Sequence, residues 1–151
     1  MKVIKVLYVC VHNSARSQMA EAFTNTLGRE GKYRKDVSIE AESAGFEPGK
    51  LNPVVVEVMK EIGIDISNNK TNSVFEFYKE GRLYDYVITV CDESNAEQCP
   101  IFPGVTTRKH WSFKDPSALT GTREKIKIET RKIRDQIREA VEKFIHSILS
   151  Q

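Results

Sequence analysis

Two stretches of the chain, residues 3–9 and 84–91, are mostly apolar and rich in valine and isoleucine. Runs of this kind are typical of strands buried on both faces of a parallel sheet. Residues 36–45 and 106–113 are weaker strand candidates, and the second is polar enough to predict a strand at the edge of the sheet.

Between these strands, apolar residues recur at helical spacing. They predict a helix over residues 19–27, a second that begins at Pro53, and a shorter one over about 73–80. The last predicted helix runs from an N-cap at Thr122 to about Ile148. The order β-α-β-α-α-β-β-α predicts an α/β fold, a three-layer sandwich of helices around a four-stranded, mostly parallel sheet.

The chain has 151 residues, with 23 basic and 21 acidic side chains and a formal charge of +2. We expect one domain over 1–151, and the weak charge gives no argument for a nucleic-acid or membrane partner. Four basic residues of the last helix are interpreted as its solvated face: Arg131, Lys132, Arg134 and Arg138. No apolar stretch approaches the ~20 residues of a membrane span, and no secretion signal is recognisable. We therefore expect a cytoplasmic monomer.

Three cysteines, an odd number without a secretion signal, favour reactive or packed thiols over a disulfide framework. Cys10 ends the first strand, and Arg16 follows six positions later where a helix begins. Ligands of open α/β sheets bind beyond the carboxyl ends of the strands. The peptide N–H groups entering a helix, together with its dipole, favour an anion and a thiolate at that place.

The arginine side chain is a planar set of donors suited to two oxygens of a tetrahedral oxyanion. The pattern therefore predicts a Cys10 nucleophile for a phosphate-like group, with Arg16 holding that group. We expect Asn13 to shape the turn and Ser17 to donate a hydrogen bond to the thiolate. The alternative is a packed cysteine beside a surface arginine. The predicted oxyanion loop consists of Val11, His12, Asn13, Ser14, Ala15, Arg16 and Ser17.

The segment VCVHNSARS resembles the phosphate-binding loop of low-molecular-weight protein tyrosine phosphatases and of the arsenate reductases that share their fold. The resemblance continues through SQMAEAF, SAG, IGIDIS, CP and HWSFKDP, and so covers most of the chain. It implies that Asp115, which precedes a proline, is the general acid. Chemistry agrees, because expelling oxide from a tetrahedral centre requires a proton donor. The alternative for Asp115 is an Asx-Pro turn with no catalytic role.

The other two cysteines favour the reductase branch. Cys91 ends a buried strand, so it should lie at the same sheet edge as Cys10, and Cys99 follows a polar segment. Arsenate bound to Cys10 leaves as arsenite only if a second thiol attacks Cys10. Cys91 would be that thiol, and Cys99, on a mobile segment, would carry the oxidation outward. The thioredoxin-coupled arsenate reductases carry such a cysteine pair. The alternative is a packed Cys91 and an incidental surface thiol at Cys99.

The resemblance thus implies reduction of arsenate, or a related oxyanion, to arsenite by a three-cysteine relay that thioredoxin recycles, without an organic cofactor or metal. A first alternative is a phosphotyrosine phosphatase acting through a phosphocysteine. A second is a non-enzymatic thiol redox sensor. Residual phosphatase activity is expected even from a reductase.

The sequence departs from the family pattern at several places. His12 stands where many members have glycine, Ser117 stands where phosphatases usually have tyrosine, and the cysteine pair is one residue further apart than in the reductases. We expect the longer segment to alter the rate of the relay and not to abolish it.

A potassium site of some related reductases corresponds here to Asn13, Glu21 and Ser43. Asn72 replaces its aspartate, so we expect at most a weak site.

Overall fold

The computed structural model of the chain describes residues 2–28, 34–91 and 96–150. Within them, a parallel sheet consists of β1 (Lys2–Cys10), β2 (Val37–Gly45), β3 (Tyr86–Thr89) and β4 (Thr107–His110), in the spatial order β2-β1-β3-β4. This confirms the predicted four-stranded sheet with the polar strand at its edge. The third and fourth strands are shorter than predicted, because pairing ends at Thr89 and His110.

The register of the sheet brings the carboxyl ends of the strands to one edge. Cys10 lies opposite Gly45 in β2, and Val9 lies opposite Thr89 in β3. Thr89 in turn lies opposite His110 in β4. The residues that follow these four strands therefore meet above the same edge of the sheet, where open α/β folds bind their ligands.

The main helices are α1 (Arg16–Gly28), α2 (Pro53–Lys60), α3 (Val74–Lys79) and α4 (Arg123–Leu149). Three of them begin at the side-chain caps Asn52, Ser73 and Thr122, each of which accepts a backbone N–H of the first turn. The first helix begins at Arg16, the position expected from the sequence, three residues before its first apolar residue at Met19. None of the helices formed by the described residues is long and apolar enough to cross a membrane.

The sheet is covered on both faces. Tyr8 points toward one of them, where its hydroxyl lies 2.7 Å from the Thr24 hydroxyl of α1 and its ring packs against Trp111. Trp111 also contacts Phe144 of α4, so α1 and α4 cover this face. Leu7 and Val9 alternate with Tyr8 and are equally inaccessible to solvent. Burial on both sides confirms the three-layer sandwich.

One basic residue of the last helix does not lie on a solvated face as predicted. Arg134 is only 8% exposed, and its guanidinium donates to the Val58 carbonyl and to Glu61. Arg131 makes two further hydrogen bonds to Glu61. The hydrogen bond from Arg131, with the other nearby cations, lowers the pKa of Glu61 to about 2. These charges attach α4 to the end of α2 and are used within the fold.

Candidate active site

The loop between β1 and α1 has its carbonyl groups turned away from the helix entrance. The carbonyls of Cys10 and Val11 accept hydrogen bonds from the N–H groups of Phe46 and Glu47, at 3.2 and 2.8 Å. Those of His12 and Ser14 accept from Gly49 and Asn52, both at 3.0 Å. Since C=O and N–H point in opposite directions across a trans peptide, the N–H groups that follow these carbonyls face the space above Cys10. This arrangement forms a cradle of N–H groups that is suited to an anion.

Cys10 lies at the base of this cradle, 3% exposed, with two hydrogen-bonding neighbours. The Asn13 backbone N–H donates to its sulfur at 3.2 Å, and the Ser17 hydroxyl lies 2.8 Å away. The Asn13 side-chain amide also donates to the Ser17 oxygen, at 2.8 Å. Because that oxygen already accepts a hydrogen bond, the Ser17 proton is available for the Cys10 sulfur. Both neighbours can therefore stabilise a thiolate.

The loop can close over Cys10 because one residue adopts a left-handed backbone conformation and another has no side chain. Asn13 has φ 54°, the left-handed region in which asparagine is one of the few tolerated residues other than glycine. Gly45 lies directly beneath the loop, where a Cβ would come within 2.6 Å of the Val11 carbonyl oxygen. The end of β2 is therefore in contact with the backbone of the predicted oxyanion loop.

Arg16 and Asp115 approach one another at the rim of the cradle. Arg16 is 4% exposed, and its guanidinium donates to the Phe113 carbonyl at 3.1 Å. A second guanidinium nitrogen lies 3.6 Å from the Asp115 carboxylate. The Asp115 side chain is about one third exposed, so it is accessible to a ligand in the cradle.

Asp115 caps a short 3₁₀ helix, Pro116–Ala118, by accepting the Ser117 N–H at 2.9 Å. The Ser117 hydroxyl accepts a hydrogen bond from the Asn52 side chain at 3.0 Å. Asn52 also donates its backbone N–H to Ser14. This single residue therefore joins the oxyanion loop to the segment that carries Asp115.

Cys91 lies beside the oxyanion loop. The Val90 N–H donates to the Val9 carbonyl at 2.8 Å, so β3 continues alongside β1 up to the position of Cys10. The register therefore places Cys91 at the level of the first loop residue, at the sheet edge predicted for it.

Cys99 is buried, with 4% of its surface exposed, although its sequence context predicts a polar loop. All three cysteines are thiols and not disulfides. Burial raises the pKa of the Cys99 thiol to about 11; the Arg108 cation opposes this shift and Cys91 adds to it. Because Cys91 contributes to the pKa of Cys99, the two cysteine side chains are near enough to interact electrostatically. Residues 92–95 of the segment that joins them lie outside the described residues.

His12 bonds the mouth of the cradle to the neighbouring loop. Its ring nitrogen Nδ1 lies 2.9 Å from the Glu47 carbonyl, which can only accept, so Nδ1 carries the proton. The side chain is exposed.

Sequence reasoning missed three residues of this region: Gln18, Gly45 and Asn52. Gln18 is 1% exposed, and its amide donates to the Asn13 carbonyl and side-chain oxygen. A buried glutamine has no periodic signal that separates it from a solvated helix residue. Gly45 is the last residue of β2, and a glycine in a strand often marks a place where another backbone approaches closely.

The residues expected around potassium lie together, and their oxygens already accept hydrogen bonds from protein donors. The Ser43 hydroxyl donates to Glu21 at 3.1 Å, and the Asn72 side-chain amide donates to the Ser43 carbonyl at 3.1 Å. The side-chain oxygen of Asn13 accepts both the Asn72 N–H and the Gln18 amide. N–H donors therefore point at oxygens that a cation would need as ligands. Elsewhere among the described residues, no group of three or more histidine, cysteine or acidic side chains could hold a metal ion.

The model of the low molecular weight phosphotyrosine protein phosphatase family matches residues 5–151. The chain belongs to this family. An arsenate reductase of Shouchella clausii is 37% identical to it over 141 residues, 93% of this chain and 94% of the relative.

Two solved structures of family members extend the comparison. An arsenate reductase in the phosphate-binding state has 33% sequence identity and a TM-score of 0.71, over 98% of this chain and 99% of the other. The thioredoxin-dependent arsenate reductase of Corynebacterium glutamicum has 29% identity and a TM-score of 0.70, and the match covers all of this chain and 64% of that one. The predicted three-layer fold and the predicted family are both confirmed.

Proposed function

We propose that this protein reduces arsenate to arsenite through a relay of three cysteines that thioredoxin recycles. The observation that carries the proposal is the position of Cys10. Its sulfur is the base of a cradle of peptide N–H groups and lies within hydrogen-bond distance of Asn13 and Ser17, and a second cysteine follows the neighbouring strand at the same sheet edge. The Shouchella clausii relative is an arsenate reductase, which supports arsenate as the substrate.

In the first step, the Cys10 thiolate attacks arsenic in an arsenate held by the loop N–H groups and Arg16. An S–As bond forms, and the displaced oxygen leaves as water after Asp115 donates a proton. Arg16 and Asp115 are 3.6 Å apart, so a single tetrahedral anion can contact both. Arsenic remains in the pentavalent state at this stage.

In the second step, Cys91 attacks the Cys10 sulfur. An S–S bond forms, the S–As bond breaks, and its electron pair stays on arsenic, which leaves as trivalent arsenite. Cys99 then attacks Cys91, which restores the Cys10 thiol and leaves a Cys91–Cys99 disulfide. A dithiol protein reduces that disulfide and becomes oxidised itself. The Corynebacterium glutamicum neighbour is described as thioredoxin-dependent, which supports thioredoxin in this role.

Burial of Cys99 affects the rate at which it attacks Cys91. A thiol whose pKa is raised to about 11 by burial is almost fully protonated at neutral pH. Cys99 therefore attacks slowly in these surroundings, and oxidation of Cys91 in the preceding step removes one of the contributions that raise its pKa.

The test is NADPH consumption by the reduced protein with thioredoxin, thioredoxin reductase and arsenate. We expect arsenate-dependent turnover that is lost in Cys10→Ser, Cys91→Ser and Cys99→Ser variants. Cys91→Ser should still hydrolyse aryl phosphates, because that reaction needs Cys10 and not the relay. Sustained arsenate reduction by Cys91→Ser would refute the relay.

Aryl-phosphate hydrolysis without arsenate turnover in the native protein would instead establish a phosphatase. A protein inert toward both substrates would support a thiol redox sensor.

A further inference from the structure

Asn13, the residue with the left-handed backbone in the oxyanion loop, is fully buried and held from two directions. Gln18 of α1 donates its side-chain amide to the Asn13 carbonyl at 3.1 Å and to its side-chain oxygen at 3.2 Å. The backbone N–H of Asn72 donates to the same side-chain oxygen at 2.9 Å. The acceptors of Asn13 are therefore satisfied by protein donors.

Asn72 connects this loop to the end of β2. Its side-chain amide donates to the Ser43 carbonyl, and its own carbonyl accepts the Gly45 N–H at 2.8 Å. Gly45 is the residue on which the oxyanion loop rests. Asn72 thus links Asn13 in the oxyanion loop to the end of β2 beneath it.

We propose that Gln18 and Asn72 are positioning residues whose N–H donors order the oxyanion loop without a monovalent cation. Oxyanion binding by this protein is therefore independent of potassium. The inference rests on the proposed function only in so far as it takes the loop to be the oxyanion site.

Two observations on the hydrogen bonds of this region support the inference. A potassium ion binds oxygen lone pairs, but the Asn72 side chain directs N–H bonds at the Ser43 carbonyl, and an N–H dipole repels a cation at that place. In addition, no buried side-chain nitrogen or oxygen among the described residues lacks a hydrogen-bond partner. No orphaned acceptor at this site requires an ion to satisfy it.

The same contacts reach the nucleophile. With its oxygen held by Gln18 and Asn72, the Asn13 side-chain amide is oriented so that its nitrogen donates to Ser17. That bond leaves the Ser17 hydroxyl proton for Cys10. Displacement of the Asn72 backbone N–H should therefore weaken the cradle as well as the loop.

The experiment measures binding of inorganic phosphate to the full chain by titration calorimetry, in potassium chloride and in tetramethylammonium chloride of equal ionic strength. For the native protein we expect dissociation constants that agree within about twofold in the two salts. Asn72→Asp replaces the side-chain amide that donates to the Ser43 carbonyl with a carboxylate, which repels that carbonyl and should displace the Asn72 backbone N–H from Asn13. We expect it to bind phosphate ~10-fold more weakly in tetramethylammonium chloride, a loss of about 1.4 kcal/mol, and to recover in potassium chloride, where a cation can lie between the new carboxylate and the Ser43 carbonyl.

Asn68→Asp is the matched control, because it adds the same charge at an exposed position of the same loop. It should behave as the native protein in both salts, which separates a positioning role of Asn72 from a general charge effect. A native protein that loses phosphate affinity when potassium is removed would overturn the inference, whether or not Asn72→Asp folds. Absence of phosphate binding in both salts would instead refute the proposed oxyanion site.

Discussion

Gly45→Ala tests whether the oxyanion loop depends on its contact with the end of β2. A Cβ at this position would lie 2.6 Å from the Val11 carbonyl oxygen, 2.8 Å from the Asn13 nitrogen and 2.9 Å from the His12 carbonyl carbon. All three are backbone atoms, and Val11 and Asn13 are already held by hydrogen bonds to Glu47 and Cys10. The loop must therefore shift as a unit.

The shift follows from the distances. Real Cβ atoms essentially never approach a neighbour closer than 3.0 Å, so the Val11 carbonyl has to move by at least about 0.4 Å. Overpacking of this kind typically costs ~1–3 kcal/mol of folding free energy. Displaced N–H groups also lose part of their charge-assisted hydrogen bonds, which are worth ~1.5–3 kcal/mol each. We expect phosphate affinity to fall by ~10- to 100-fold.

Titration calorimetry with inorganic phosphate measures the affinity, and urea unfolding measures the stability. Gly49→Ala is the matched control, because a Cβ there would lie 3.6 Å from the His12 Cβ, an ordinary van der Waals distance. We expect its phosphate affinity to match that of the native protein. Native affinity and stability in Gly45→Ala would refute the assignment of the loop as a close-packed cradle.

Three further predictions concern the thiol relay, the contact between α2 and α4 at Glu61, and the segment that carries Asp115. Arg108→Ala should slow formation of the Cys91–Cys99 disulfide in rapid-quench experiments, because the cation opposes the pKa increase that burial causes in Cys99. The rate of attack by Cys99 should rise with pH, since the thiolate is the nucleophile. Glu61→Gln should lower Tm at pH 7, and the difference should disappear as pH falls from the ordinary glutamate value of ~4.3 toward 2, because the stability supplied by a carboxylate of lowered pKa is lost there. Asn52→Asp keeps the cap of α2 but removes the donor to Ser117, next to the acid Asp115. It should slow hydrolysis of phenyl phosphate ~3- to 10-fold and leave hydrolysis of p-nitrophenyl phosphate nearly unchanged. Phenolate is the poorer leaving group, so only its departure needs the proton from Asp115.

Each of these has a control and an outcome that would contradict it. Lys109→Ala removes a neighbouring exposed cation and should leave the exchange rate unchanged; an equal slowing would indicate a nonspecific charge effect. Glu139→Gln removes an exposed partner of Lys143 and should change Tm less at pH 7 than Glu61→Gln. Ser117→Ala should reproduce the Asn52→Asp result, and an equal loss on both phosphate esters would argue against a role in positioning the acid.

The sequence by itself determined the architecture and the place of the site. Apolar runs at β1 and β3 can be buried only between two layers of helices. Helical periodicity, with Pro53 at the start of one helix and the Thr122 cap before another, defines those layers. Once the sheet is parallel, Cys10 and Cys91 must lie at the same edge. These predictions follow from local properties, namely the period of the hydrophobic pattern and the chemistry of helix ends.

Tertiary structure alone decided how the site is held. The contacts of Asn13 with Gln18 and Asn72, and of Asn52 with Ser117, join residues up to 65 positions apart, and polar residues of this kind give the same local signal whether they are buried or solvated. The burial of Cys99 and Arg134 was missed for the same reason. A side chain's environment depends on which distant segment packs over it, and that is settled only when the whole chain has folded.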